Sequence, residues 1–339
     1  MLKMIFDVPA ESGGALSILN QYYNEAIKDS DTNYIFVLSV PELTDDKNVK
    51  VINYKWIKKS WFHRLFFDLF ISNRIVKKYK PDEVLSLQNI HIKKIKVKQT
   101  LYVHQAIPFS EYKFKFFKNK KYWIYQNVIG YFIKQSISKV DKVIVQTEWM
   151  KDKILKINSN LKVIVESPSI DTSLINEFNY LESKNFKTFF YPANDDVYKN
   201  HEMIINVVSK LVKNSIDCIV LFTIDLNHVN DNLKKILLEA QKKDLPIKLL
   251  GNISREEVFR LYSESVLLFA SDIESFGLPI LEARLCEGPI IAKNTDFSNE
   301  ILMDYKHYIM FENEDSLQKA MESSVKTGYQ DYLINRKGD

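Results

Sequence analysis

Cysteine and glycine are both scarce in this chain: two Cys and eight Gly in 339 residues. Cys218 and Cys286 each sit in apolar surroundings, with no Cys pair or Cys/His cluster. That excludes a disulfide scaffold and a zinc site, and it points to a reducing compartment, the cytoplasm. No stretch approaches the roughly 18 uncharged apolar residues of a membrane-spanning helix. The opening MLKMIFDVPAESGG has one Lys and a short apolar run, without the long apolar region and cleavage site of a signal peptide. No repeat of fixed period is visible. What is present is 46% hydrophobic and 27% charged residues, the composition of a folded chain and not of a disordered one. The length exceeds one ordinary core and fits two domains.

The net charge of +4 hides an asymmetry. Residues 1–150 hold 24 Lys and Arg against 14 Asp and Glu, and the remainder 23 against 29. The N-terminal half is therefore expected to face something anionic.

Short apolar runs alternate with helical stretches along the whole chain. In the first half KMIFDV, NYIFVLSV, DEVLSL, QTLYVH and DKVIVQT read as strands, and LKVIVESPSI closes it. GALSILNQYYNEAIKD, LFFDLFISNRIVKKYK and YWIYQNVIGYFIKQSIS read as helices between them. The alternation restarts with TFFYPA, CIVLFTI, IKLLG, SVLLFAS, GPIIAK and HYIMFE. Near-continuous apolar strands alternating with helices predict parallel sheets covered on both faces. The expectation is two doubly wound α/β domains, 1–170 and 171–339.

Ligands of such sheets bind beyond the carboxyl ends of the strands. One such end carries SDIESFGLPILEA, with Glu274 and Glu282 on either side of a Phe-Gly-Leu-Pro turn. Pro279 suits a first helical turn, whose free N–H groups and dipole favour a phosphate. Gly277 lets that phosphate approach the backbone. Carboxylates accept hydrogen bonds from vicinal hydroxyls, so two of them around a phosphate seat describe a sugar-nucleotide site. Taken alone, the pair is equally well a solvated acidic loop and a helix-start Glu.

The wider block KLLGNISREEVFRLYSESVLLFASDIESFGLPILEARLCEGPIIAKNTDFSNEIL, with FFYPANDDVYKNHEMIINV upstream, resembles the donor-binding half of family 4 glycosyltransferases. The likeness covers most of residues 187–327. It implies the GT-B fold, two Rossmann-like domains facing across a cleft, and a retaining enzyme that needs no metal or other cofactor. It further implies that Glu274 holds hydroxyls of the donor sugar, Glu282 the ribose, and the backbone at Ser275, Phe276, Gly277 and Leu278 the diphosphate. Lys199 is implied to grip the diphosphate as a point charge, and Asn252 and Ile253, after Gly251, to border the base. The sequence departs from the family at Asn194, where many members carry a second cation, an Arg.

The N-terminal half follows the family less closely, as an acceptor-binding domain would. Gly13 and Gly14 correspond to the family's glycine-rich loop at the donor phosphates. His104, at a strand end, corresponds to a His that contacts the donor sugar or the reacting centre. His91 and His201 read as structural. The implied catalytic set is thus His104, Lys199 and Glu274.

Two segments, Lys55–Phe70 and Tyr112–Gln126, interleave Lys with aromatics. Interfacial segments that meet anionic lipid have this composition, and so do amphipathic core helices with snorkelling lysines. No nucleic-acid module is readable. The functional expectation is a bacterial transferase of surface polysaccharide, by analogy with the family, moving a sugar from a UDP-, GDP- or dTDP-linked donor to a glycan or lipid-linked acceptor. It is expected in the cytoplasm or peripheral on the inner face of the membrane. The alternatives are a nucleotide-sugar 2-epimerase, which needs no acceptor, and a non-catalytic sugar-nucleotide-binding partner, to which Asn194 lends support.

Overall fold

The structure, a computed structural model of the chain, describes residues 1–11, 13–168, 170, 172–175 and 185–328. It divides into two compact units, Met1–Pro168 and Ser169–Asp339. The sequence-derived boundary at 170/171 touches Asp171, which lies outside the described residues, as does Ser12 of the glycine-bearing loop.

The first unit runs β1 (Leu2–Asp7), α1 (Gly13–Lys28), β2 (Asn33–Leu38), β3 (Val49–Asn53), α2 (Trp61–Phe66), α3 (Ser72–Tyr79), β4 (Glu83–Ser86), β5 (Lys98–Tyr102), α4 (Lys120–Ile124), α5 (Gly130–Ile137), β6 (Lys142–Val145), α6 (Glu148–Leu155) and β7 (Lys162–Val165). Its seven strands are all parallel, in the order β3-β2-β1-β4-β5-β6-β7. Alternation along β1 assigns the two faces. Ile5 packs with Ile18, Leu19 and Tyr23 of α1, whereas Met4 and Phe6 pack with Ile57, Phe67 and Ile75 on the other side.

Two features of this unit are absent from the sequence pattern. The edge strand β3 is short and half solvent-facing, so Lys50 and Asn53 interrupt the apolar run that marks the inner strands. The two basic-aromatic helices are each broken by a π-turn, at Phe67–Ile71 and Tyr125–Ile129, a widening of the helix that hydrophobic periodicity does not register.

The second unit runs β8 (Asn185–Tyr191), α7 (His201–Lys213), β9 (Ile219–Phe222), α8 (Asp231–Lys242), β10 (Ile247–Leu249), α9 (Arg255–Glu264), β11 (Ser265–Phe269), α10 (Leu278–Leu285), β12 (Ile290–Lys293), α11 (Asp296–Leu302), β13 (Tyr308–Phe311) and α12 (Glu314–Thr327). Its six parallel strands are ordered β10-β9-β8-β11-β12-β13. Both sheets are doubly wound, as expected from the alternation. Each reverses direction once, between β1 and β4 and between β8 and β11, and a crevice opens at such a switch point beyond the strand ends. Among the described residues no helix is long and apolar enough to cross a membrane.

Candidate functional site

The switch point of the second sheet is built by two loops, one after β8 and one after β11. They are latched together. The Asp272 N–H donates to the Tyr198 carbonyl at 2.8 Å. The Asn200 side-chain amide donates to the Ala270 carbonyl at 2.8 Å and to Asp272 Oδ2 at 2.9 Å. Asn200 takes the left-handed conformation (φ 57°) that Asn tolerates, which turns the chain from the Val197–Lys199 turn into α7. The buried Tyr191 donates its hydroxyl to the Lys199 carbonyl at 2.7 Å, fixing that residue from below.

This frame brings Lys199 and Glu274 together. Lys199 Nζ pairs with Glu274 Oε1, and both side chains are mostly buried. One strand further along, Lys293 at the end of β12 pairs with Asp272.

The chain then turns tightly into α10. Phe276 and Gly277 are buried, and Gly277 caps the helix at φ 92°, a value that an L side chain rarely adopts. A Cβ there would lie 3.3 Å from both Phe297 and Ile301. Pro279 in the first turn has no N–H to leave unsatisfied, the Ile280 N–H donates to the Gly277 carbonyl at 3.0 Å, and the Leu278 N–H has no acceptor within the helix. The backbone from Phe276 to Leu278 thus presents the positive end of a helix dipole at the strand ends.

Glu282 lies one turn into α10 and is only 4% exposed, deeper than the sequence suggests. Arg255 donates to Oε1 at 2.6 Å and the buried Tyr262 hydroxyl to Oε2 at 2.9 Å. Burial, reinforced by the Glu282 charge, holds the Tyr262 phenol well above its usual range, so it remains a donor. A carboxylate has about four lone-pair sites, so these two bonds leave it acceptor capacity for a ligand. Arg255 opens α9 and stacks over Phe259 at 5.0 Å. It follows Gly251, Asn252 and Ile253, which form the turn after β10. Gly251 is at φ 66° with open space around it, and Asn252 is exposed.

Asn194 does not supply a second cation. Its amide is spent on Asp196 at 3.0 Å in the same loop. The cations held at these strand ends are Lys199, Lys293 and Arg255, each already set against a carboxylate. Arg255 and Lys293 escaped the reading of the sequence, although each stands directly at the end of a β-to-α or strand segment. Tyr262 had no signal, because a Tyr in an amphipathic helix reads as core.

The remaining predicted residues belong to the first unit. Gly13 (φ 60°) and Gly14 open α1 after β1, and a Cβ on either would meet nothing within 4 Å. His104 follows β5. The Asn89 side-chain Oδ1 accepts from the backbone N–H of His104 at 2.8 Å and of Gln105 at 3.0 Å. That orients the amide so that its NH2 faces His104 Nε2 at 3.0 Å. Nε2 is then the acceptor, and the proton lies on Nδ1. Burial lowers the imidazole to about 4, so it is neutral at physiological pH. Among the described residues Nδ1 has no partner, which leaves one N–H to donate to a ligand oxygen.

His91 bonds Ser136 at 2.9 Å. His201 packs between Tyr191 and Phe222 and is lowered by burial to about 3. Both sit as side chains of the scaffold.

The family model "Glycosyl transferases group 1" matches residues 174–335. The chain is 25% identical over 228 residues to the O-antigen chain mannosyltransferase RfbU of Salmonella typhimurium, 66% of this chain. It spans 60% of the length of that relative. The solved structure of sucrose-phosphate synthase from Thermosynechococcus elongatus superposes with a TM-score of 0.71 at 12% identity, covering 98% of this chain and 93% of the other. Anabaena Alr3699/HepE, solved in complex with UDP and glucose, gives 0.65 at 13%, covering 98% and 92%. At such identities the likeness shows the fold, GT-B.

Proposed function

We propose, from the match of residues 174–335 to the family model "Glycosyl transferases group 1", that this protein moves a sugar from a nucleotide-sugar donor to a hydroxyl of a glycan or lipid-linked acceptor. The observation that carries the reading is the pair Glu274 and Glu282 around the Gly277-capped start of α10, at the switch point of a parallel sheet. Glu282, preset by Arg255 and Tyr262, accepts from the ribose hydroxyls. The α10 N-terminus seats the diphosphate. Glu274 accepts from hydroxyls of the sugar.

Lys199 rests on Glu274. When the donor enters, the diphosphate takes over Lys199 and the sugar takes over Glu274, so one ion pair is exchanged for two ligand contacts. Lys199, with Lys293 and Arg255 behind it, offsets the charge that grows on the diphosphate as the bond breaks. This answers the lack of an Arg at position 194 without a metal.

The reaction retains the anomeric configuration. The bond from the anomeric carbon to the diphosphate oxygen breaks, and the acceptor oxygen adds on the same face. The acceptor proton passes to the departing phosphate oxygen, so no side-chain nucleophile is needed. Within the first unit, the neutral His104 has an Nδ1–H to give to a ligand oxygen, and Gly13 and Gly14 leave the α1 N-terminus open to an anion. Asn252 and Ile253 border the base.

RfbU's name suggests mannose as the sugar and a surface polysaccharide as the product. The buried thiols of Cys218 and Cys286 fit a reducing cytoplasm. Incubation with mannosyl donors linked to UDP, GDP or dTDP, with and without oligosaccharide acceptors, tests the reading. Acceptor-dependent release of a nucleoside diphosphate is expected, with the anomer read by NMR. Release of an isomerised sugar without acceptor would replace transfer by epimerisation.

A further inference from the structure

Charge in the first unit is segregated by position. Residues 47–140 carry 21 Lys and Arg against four Asp and Glu, whereas residues 1–46 carry two against eight. The topology converts this split into a one-sided one. From β1 to β3 the chain winds one way across the sheet, and from β3 through β6 the other way. Right-handed crossovers then place α1 on one face and both π-broken helices, α2–α3 and α4–α5, on the opposite face. Contacts agree. Ile92, in the loop after β4, packs in the cluster of Phe67 and Ile75. Its neighbour Lys93 lies 5.7 Å over the Phe132 ring of α5, and His91 bonds Ser136 of the same helix.

On this basic face large apolar side chains point outward. Phe117 is 99% exposed, Phe62 79% and Trp61 61%, with Phe66, Phe70 and Phe132 exposed as well. Phe62, Phe66 and Phe70 recur at four-residue steps along one stripe, and the last two rings lie 5.4 Å apart. Around Phe117 stand Lys113, Lys115, Lys118, Lys120 and Lys121, all exposed. From Tyr112 to Val140 the sequence has no acidic residue at all. Single exposed apolar residues need no explanation, but a set gathered on one face does. Aromatic rings flanked by lysines match the boundary of a bilayer, where rings sit at headgroup level and ammonium groups meet lipid phosphates. A second copy of the chain is a poor occupant, because a two-fold contact would set this basic face against itself.

We propose that this face of the N-terminal unit docks on an anionic lipid bilayer, with Phe62, Phe66 and Phe117 in the headgroup region and the lysines of residues 113–121 on lipid phosphates. The docking rests on residues of this unit that have no part in the proposed donor site.

Sedimentation of the full chain with phosphatidylcholine vesicles, with and without phosphatidylglycerol, tests it. Binding to the phosphatidylglycerol vesicles is expected, weakening as salt is raised. Each lysine at an anionic surface is worth about fivefold in partitioning, so Lys118→Ala, Lys120→Ala and Lys121→Ala together should lower it on the order of a hundredfold. Phe62→Ser with Phe117→Ser should also release the protein, with the melting temperature unchanged because both side chains are exposed. Binding that is equal on both vesicle types and blind to salt would overturn the proposal. So would failure to bind vesicles, with Phe-dependent self-association or retention on polyuridylate in its place.

Discussion

Lys199 and Glu274, 75 residues apart in sequence, form an ion pair between the ends of the adjacent strands β8 and β11. The pair ties the two proposed ligand-holding groups to one another. Glu274→Ala frees Lys199, so nucleoside diphosphate should bind at least as tightly as in the wild type while turnover falls. Parallel calorimetry and kinetics distinguish the two effects. Loss of diphosphate binding would move Glu274 from the sugar to the nucleotide.

Lys199→Ala is the converse. Charge on the diphosphate is greatest in the transition state, so kcat should fall further than donor affinity. Steady-state kinetics on the preferred donor reads the split. An unchanged kcat would reduce Lys199 to a structural partner of Glu274.

Gly277→Ala should weaken both fold and binding. The left-handed backbone costs an L residue roughly 1–2 kcal/mol, and its Cβ meets Phe297 and Ile301 at 3.3 Å. A lower melting temperature and weaker nucleotide binding are expected together. Wild-type values for both would mean that α10 starts differently in solution.

Burial raises Asp7 to about 7, against the pull of the Ala10 amide, Arg64 and Lys58. The folded state therefore holds this proton where the unfolded chain has released it, and stability falls as pH rises from about 4 to about 7. The full shift corresponds to up to about 4 kcal/mol. His104 works in the opposite sense: lowered to about 4, it costs stability as pH falls below its ordinary range. Asp7→Asn should therefore melt above the wild type at pH 8, with the difference vanishing near pH 4. A constant difference across that range would mean that Asp7 does not titrate as its burial dictates.

Much of this was legible in the sequence. The nine inner strands announce themselves because burial on both faces forces continuous apolar runs, whereas β3 stays silent because Lys50 and Asn53 interrupt its run. Gly277 and the carboxylates around it could be placed at a strand end from their order alone. The partners could not. Tyr262 and Arg255 meet Glu282 across the α9–α10 packing, and Asp272 meets Lys293 across two strands, distances that sequence order does not encode. The same is true of the outward rings on the basic face: composition showed Lys and Phe interleaved, but only the fold shows which of them point away from the core.

Glu282 carries the nucleotide in this account. Titration of UDP, GDP and dTDP into the wild type and Glu282→Ala tests that most directly. At least one should bind the wild type, and the variant should lose about ten- to a hundredfold in affinity, the roughly 1.5–3 kcal/mol of a charge-assisted hydrogen bond. The variant also leaves the buried Tyr262 hydroxyl without its acceptor, so a melting curve must accompany the titration to show that the chain is folded. No binding of any of the three by the wild type, or equal binding by a folded Glu282→Ala, would contradict the account.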